Sequence, residues 1–524
     1  MPPDPFQLEV LRHALTATAE EMSFVVMRAA RSPLLREAGD LSSALTDASG
    51  QLVAQGRDIP VHLGVMSFTV GAFLSRVPAE RLRPGDVWFT NLPELGGNHL
   101  PDVKAIRPIF AEGRLLAFAV SLAHWADIGG GWPGSYVAAA TEAVQEGLRI
   151  PPLRLFTAEG PDAEKIAVIM ANTRGAPERE GDMLAQVAAT RAAETRLHAL
   201  CATHGAATIE AAMAALHDRS EAAMRAAIAT LPQGVHLGED FLDDDGPGGA
   251  PAGVRVRITV ANDTAEFDFS ATDDALAGPL NTTPYVTAAA VYYAMKAIAG
   301  PEIQPNGGCY RPLSVITRKG SLLDPPLDKP LVGGNHETSQ RLVDAIFQAF
   351  APSIPERLAA GGPTTSGLLI FSGRGQDGAW KTLYEPHGGG EGARHDRAGM
   401  AATRVHLTNT NNTPAEIIEA EFPVQVERHA LRRDSGGAGK HVGGAGVVRE
   451  YRVLAESLSL TTMFERRVFP PYGMAGGAPG LKFRCDVIHP DGTIEELRGK
   501  ENRMVFRGDV VRLSTSGGGG YGTP

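Results

Sequence analysis

Two short clusters of histidine and aspartate are where this sequence could do chemistry. They are Gly96-Gly97-Asn98-His99-Leu100-Pro101-Asp102 and, beginning 25 positions after His99, His124-Trp125-Ala126-Asp127-Ile128-Gly129-Gly130. Val103 to Phe110 and Leu115 to Ala123 read as strands. Ala111-Glu112-Gly113 reads as a short glycine-containing hairpin connection. With Phe110 opposite Arg114, antiparallel pairing sets His124 opposite Leu100, between His99 and Asp102. Two imidazoles and a carboxylate then meet at the open end of one hairpin, a donor set suited to a first-row divalent metal. A single histidine beside a strand is more often a hydrogen-bonded structural residue; in this sequence three candidate ligands share one place. Asp127 could be a ligand, a partner orienting His124, or the cap of the Gly129-Gly130-Gly131 turn, and the orienting role is favoured. His62, in Ile59-Pro60-Val61-His62-Leu63-Gly64, either lines the site or is structural.

The elements that must position these residues are legible in outline. Phe6 to about Ala30 carries a helical stripe of Leu8, Leu11, Leu15, Met22 and Val25 or Val26. Ser42 to Thr46 and Gln51 to Ala54 flank a second hairpin signal, Asp47-Ala48-Ser49-Gly50. About Asp162 to Leu231 is alanine-rich and should be helical until Pro232-Gln233-Gly234. Strands follow at Val254 to Val260 and Thr264 to Phe269, then helices at Thr287 to Ala299 and Glu337 to Phe350. After Met400 the chain reads as strands, glycine and tight turns. The expected fold is α+β: residues 1–232 form a metal-bearing N-terminal α+β region, and 233–524 a β-rich region with interspersed helices. The 60 glycines suggest many constrained turns.

Composition excludes several classes. Hydrophobic residues at 43% and charged residues at 21% are those of a soluble globular protein. A net charge of −11 argues against nucleic acid or an anionic membrane as partner. Cys201, Cys309 and Cys485 are widely spaced and form no C-x-x-C, the usage of a reducing compartment. With no leader pattern and no membrane-length apolar run, the expected location is the cytoplasm. Gly439-Lys440 and Gly499-Lys500 lack the Ser or Thr that ends a P-loop. The G-x-G-x-x-G match at Gly517, Gly519 and Gly522 has no helix to follow it, and no G-x-S-x-G elbow exists. The chain carries no ATPase signature of its own.

The order of further segments resembles the B subunit of the hydantoinase/oxoprolinase family, related to subunits of the acetone and acetophenone carboxylases. The matching segments include Arg31-Ser32-Pro33, Gly39-Asp40-Leu41-Ser42, Ile59 to Gly64, both histidine clusters and Glu146 to Pro152. Gly334-Asn335-His336-Glu337-Thr338-Ser339-Gln340-Arg341, Asn409 to Pro414, Arg433 to Gly437 and Gly517 to Pro524 extend the likeness over essentially the whole chain. The resemblance implies a subunit of an ATP-dependent enzyme that opens a cyclic amide such as a hydantoin, 5-oxoproline or a related lactam. A separate A-type partner, of actin-like nucleotide fold, would bind ATP and Mg²⁺, and an A2B2 heterotetramer is the expected assembly. The implied metal ligands are Asp40, His99, Asp102 and His124, holding one divalent ion: Zn²⁺ first, with Mn²⁺ or Fe²⁺ as alternatives. Asp127, His62 and Glu142 are the candidates to orient water or shuttle protons. Trp125 stands where the family often has a second histidine, and Asn98 replaces a commoner threonine, so the cavity and its selectivity are expected to differ. The alternative activity is ATP-dependent ketone carboxylation; a scaffold with a purely structural metal is the third reading.

Overall fold

The computed structural model describes residues 4–375 and 377–524. Asp4 starts the N-terminal helix Pro5–Ala29 by accepting hydrogen bonds from the amides of Phe6 and Gln7, and its buried stripe is Leu11, Leu15, Met22 and Val26. The helix packs on a seven-stranded sheet and on the long helix Ala176–His204. Strand order is Leu52–Gln55, Leu41–Asp47, Arg114–His124, Asp102–Ala111, Val87–Thr90, Leu153–Thr157, Gly160–Pro161, every neighbour antiparallel.

The long hairpin forms, but in a different register from the one expected. Its turn is only Glu112-Gly113, both at positive φ (51° and 78°), so Ala111 pairs with Arg114. A bulge between Ile109 and Phe110 shifts the pairing by a further residue. The two shifts bring Asp102, not Leu100, opposite His124. Strand alternation then divides the faces. Ala105, Ile109, Ala117 and Ala119 meet the helices on one side; Ile106, Phe118 and Val120 meet helix Pro60–Leu74 on the other. Asp102, two residues along from Lys104 and four from Ile106, lies on that second face.

Helix Pro60–Leu74 was not foreseen. It is apolar on nearly all sides, so it carries no 3.6-residue period to detect. It crosses helix Pro284–Ala299 so closely at Gly64 that a Cβ there would sit 2.4 Å from the Ala289 Cβ. The expected helical stretch after Asp162 forms as Ala163–Ala171, Ala176–His204 and Ala206–Ile228, and the later helices are Pro284–Ala299 and Ser339–Phe350. A five-residue π-helical turn, Gly334–Thr338, leads into the last of these.

Residues after 233 build three further sheets, of four, four and five strands. Among the described residues no sheet pairs strands from both sides of residues 232/233, while one hydrophobic cluster runs across that point, joining Met66 and Val70 to Val254, Ala290 and Leu342. The overall architecture is mixed α+β. Many C-terminal glycines are not at turns: segments around 388–393, 436–446, 473–480 and 517–521 lie backbone against backbone. Gly518 accepts from the amide of Gly437 and donates to the carbonyl of Gly444. A Cβ on Gly518 would stand 1.9 Å from the Glu391 carbonyl oxygen. The glycines are therefore required by close packing, and Gly517 and Gly519 of the terminal G-x-G-x-x-G are buried against backbone. The amides of Gly389 and Gly390 are likewise engaged, by Thr403 and Ser516.

Candidate metal centre

His99, Asp102 and His124 each offer a ligand atom, and these atoms lie within 4.8 Å of one another, fully enclosed. The loop Gly96–Pro101 is pinned before the strand begins: Thr69 Oγ1 donates to the Gly96 carbonyl, and Asn91 Nδ2 donates to that of Leu100. His99 Nδ1 donates to the Val332 carbonyl at 3.0 Å, which leaves Nε2 as its lone-pair nitrogen, accepting from Asn335 Nδ2 at 3.3 Å and lying 3.2 Å from Asp102 Oδ2. Ser42 gives its own proton to the Leu41 carbonyl, so the Nδ1 of His62 must donate to Ser42 Oγ, at 3.3 Å. The His62 Nε2 lone pair then faces Asp102 Oδ1 at 3.5 Å and Asp40 Oδ1 at 3.9 Å. Neither Asp102 oxygen nor His124 Nδ1 has a hydrogen-bond partner. Lone pairs on two imidazoles thus oppose a carboxylate whose own oxygens lack donors. A proton or a cation must sit among them, and the donor set fits a divalent metal.

The electrostatics agree. Burial alone would raise the pKa of Asp102, but His99, then His62 and His124, hold it well below the usual carboxylate range. Burial opposes charging of His99, and Asp102 more than compensates, raising its pKa. Burial drops His62 to about 4 and pushes Asp40 up to about 7, the latter assisted by the Asp102 charge. Lys104 is also enclosed, its amine without a partner and lowered by burial to about 8.

The structure therefore brings His99, Asp102 and His124 together and sets His62 and Asp40 beside them. Asp40 donates no side chain to the three-residue cluster; it lines the adjoining cavity with His62 and His124, and its carbonyl accepts from the His124 amide. Asp127 is engaged elsewhere. Its carboxylate accepts from the amides of Gly129, Gly134 and Arg174 and from the Arg174 guanidinium, so its hydrogen bonds are those of the turn cap and none goes to His124. Exposed Glu142 caps a short 3-10 turn. Trp125 does not narrow the cavity: it is buried in the opposite hydrophobic cluster and donates to Gln186 Oε1. Asn98 Nδ2 donates to Asn335 Oδ1.

Five residues around the centre were missed as participants. Tyr136 OH lies 3.4 Å from His124 Nε2, 3.1 Å from His336 Nε2 and 3.0 Å from Tyr384 OH. His336 Nδ1 in turn lies 3.1 Å from Glu337 Oε1. Burial raises both tyrosines far above 10 and Glu337 to about 7, so the hydroxyls keep their protons. Arg404 lines the same cavity and donates to Thr408 Oγ1 and the Ser366 carbonyl. The π-helical turn that presents His336 and Glu337 lay within a segment carrying the family resemblance; Tyr136, Tyr384 and Arg404 gave no local signal. The cavity lined by Asp40, His62, His124, His336, Tyr384 and Arg404 is narrow, about 30 Å³.

Comparison with known proteins places the chain in a family. The family model described as hydantoinase B/oxoprolinase matches residues 4–524. A protein of Methanocaldococcus jannaschii is 33% identical over 99% of this chain and 91% of its own length. The 5-oxoprolinase 1 of Arabidopsis thaliana is 33% identical over 99% of this chain, which spans only 42% of that protein. Among solved structures, the ATP-dependent caprolactamase from Pseudomonas jessenii superposes with a TM-score of 0.94 at 28% identity, covering 100% of this chain and 92% of that one. Acetone carboxylase in its nucleotide-free form gives a TM-score of 0.90 at 18% identity, over 99% of this chain and 76% of that one, a likeness of fold. An enclosed His-Asp-His cluster on an antiparallel hairpin, within this α+β body, is the frame in which these likenesses fall. The chain belongs to the hydantoinase B/oxoprolinase family.

Proposed function

We propose that this chain is the metal-binding component of an ATP-dependent enzyme that opens a cyclic amide, working with a separate A-type chain that binds ATP and Mg²⁺. The observation that carries the reading is the enclosed His99–Asp102–His124 cluster, in which both Asp102 oxygens and His124 Nδ1 have no other partners. His99, Asp102 and His124 would hold one divalent ion, Zn²⁺ first and Mn²⁺ or Fe²⁺ as alternatives, with Asp40 as the fourth ligand. Bound there, it would polarise a carbonyl-type oxygen or acidify a water towards a pKa of about 7.

The remaining steps fall to the protein. Tyr384, which lines the cavity, and Tyr136 behind it present protonated hydroxyls that can hydrogen-bond a developing oxyanion. The chain Glu337–His336–Tyr136–Tyr384 can pass a proton towards the ring nitrogen as its bond to carbon breaks. His62, neutral with a free Nε2, is placed to accept a proton beside Asp40 and Asp102. The narrow cavity admits little bulk water and so favours the intended attack over side reactions.

A partner is supported by length. The matching part of the Arabidopsis 5-oxoprolinase is less than half of that protein, and we assign its remainder's role to a separate A-type chain, assembled with this one as an A2B2 heterotetramer. Among the described residues no single helix is long and apolar enough to cross a membrane; we place the enzyme in the cytoplasm. The purified chain should neither cleave ATP nor open a hydantoin, oxoproline or caprolactam ring. Adding the A-type chain should give both activities, and His99→Ala should abolish ring opening. ATP-coupled ring opening by this chain alone would overturn the proposal, and turnover that requires bicarbonate and a ketone would replace it with carboxylation.

A further inference from the structure

Gln340 occupies the first turn of helix Ser339–Phe350, one turn beyond His336, and is fully buried. It lines the cavity that His62, His124 and Tyr384 also line. Neither its carbonyl oxygen nor its amide nitrogen has a hydrogen-bond partner. A buried amide with both functions unpaired is costly, because each gives up its hydrogen bonds to water without replacement. Gln186, enclosed elsewhere in the same chain, shows the contrasting case of a satisfied amide: it donates to two carbonyls and accepts from Trp125. Gln340 stands out because its donor and acceptor are left over, at the cavity wall, beside the metal centre.

A primary amide presents an oxygen acceptor and an N–H donor on one edge. The group that pairs with both at once offers an N–H and a C=O on a single edge, which requires a cis amide. Open-chain secondary amides are trans, and the cis form is strongly disfavoured in them. A small lactam ring, a hydantoin or 5-oxoproline is locked cis by the ring. The cavity's 30 Å³ admits about two or three water-sized atoms, enough for the N–C=O edge but not for the whole ring.

We infer that Gln340 is a specificity-determining residue that reads the cis N–H/C=O edge of a cyclic amide through paired hydrogen bonds. This rests on the proposed function above and names what it leaves open: why a cyclic amide and not an open one. A site built to pair a donor and an acceptor rejects ligands lacking either, because its own buried groups are then stranded. N-alkylated lactams and open-chain amides are therefore excluded together, the first for want of the N–H and the second for geometry.

The test is ligand-observed NMR titration of the purified chain with Zn²⁺ added, using 2-pyrrolidinone, N-methyl-2-pyrrolidinone and N-methylacetamide. The wild type should bind 2-pyrrolidinone at least tenfold more tightly than either analogue. Gln340→Met, similar in shape but without the amide, and Gln340→Asn, whose amide is drawn back from the cavity, should reduce that preference to less than threefold. Zn²⁺ content should not change, and Gln340→Met should unfold at the same or higher denaturant concentration, since it removes two stranded groups. A preference that survives in Gln340→Met, or that the wild type lacks, overturns the inference. So does a Gln340→Met protein that unfolds earlier than wild type, because the amide is then a structural one satisfied by water. In the reconstituted two-chain enzyme, failure of the wild type to open any cyclic amide overturns the functional proposal and this inference together. Ring opening with unchanged lactam selectivity in Gln340→Met overturns this inference alone.

Discussion

Replacing Asp102 by asparagine should separate metal binding from stability, and the structure sets both signs. The carboxylate is fully buried, with neither oxygen hydrogen-bonded. Its nearest polar neighbours are the Nε2 atoms of His99 at 3.2 Å and His62 at 3.5 Å. In the metal-free protein Asp102→Asn removes a buried charge and supplies an N–H₂ that can donate to an imidazole lone pair. The histidine charges that hold Asp102 below the usual carboxylate range favour its ionised form in the folded state, so the neutral amide costs about 1–3 kcal/mol at neutral pH. With metal the cost grows, because a neutral amide is a poor ligand for a divalent ion. A loss of affinity of about 100-fold would shrink the stabilisation that saturating metal confers by about 2.7 kcal/mol. Urea unfolding of the metal-free and Zn²⁺-loaded forms, with metal content measured by mass spectrometry, reads both quantities. Wild-type Zn²⁺ affinity in Asp102→Asn would remove Asp102 from the ligand set. A metal-free variant as stable as wild type, or more so, would show that the histidines do not favour the Asp102 charge.

Other consequences can be measured in the same way. Gly518→Ala should destabilise the chain by more than about 3 kcal/mol, or prevent soluble expression, because the new Cβ meets backbone oxygen at 1.9 Å and no flexible side chain can yield; an unchanged unfolding midpoint would refute the close-packing account of the C-terminal glycines. Arg466 is buried and pairs with Asp344 and with Asp240 at 3.1 Å, so Arg466→Met should cost about 3–5 kcal/mol by leaving Arg341 as the one guanidinium beside the two buried carboxylates; a loss under about 1 kcal/mol in denaturant titration would contradict that. Burial raises Glu146 to about 7 while its carboxylate accepts from the amides of Leu331 and Val332. Its folded pKa exceeds the unfolded one, so its contribution is fully present below about pH 4.5 and is lost as pH rises through about 7, by up to about 3 kcal/mol. Glu146→Gln should therefore be flatter in stability between about pH 5 and 8 than wild type, and a steeper profile would reverse the argument. Tyr136→Phe in the reconstituted enzyme should lower turnover by about 10²-fold with Zn²⁺ content intact; unchanged turnover would remove Tyr136 from the proton path.

What the sequence by itself determined follows from local physics. The N-terminal helix, the two hairpins, the helical run after Asp162 and the two later helices are set by apolar period and by turn residues that act over a few positions. The convergence of His99, Asp102 and His124 was legible for the same reason, since a hairpin joins residues near in sequence, and only its register was misjudged. That error came from a two-residue turn and a bulge, each of which moves the pairing by one position without any strong composition signal. Asp40 entered through family resemblance alone, and its place beside His62 is a tertiary fact. Helix Pro60–Leu74 escaped because burial on nearly every side erases the amphipathic period. The roles of Tyr136, His336, Gln340, Tyr384 and Arg404 were decided only by the tertiary structure. They come from segments up to 268 positions apart in the chain, Tyr136 to Arg404, and long-range packing across four sheets and their helices, which no local pattern records, is what sets Tyr136 behind the cavity that the other four line. The same holds for the glycines: sequence shows that they are many, and only the packed fold shows that backbone must touch backbone there.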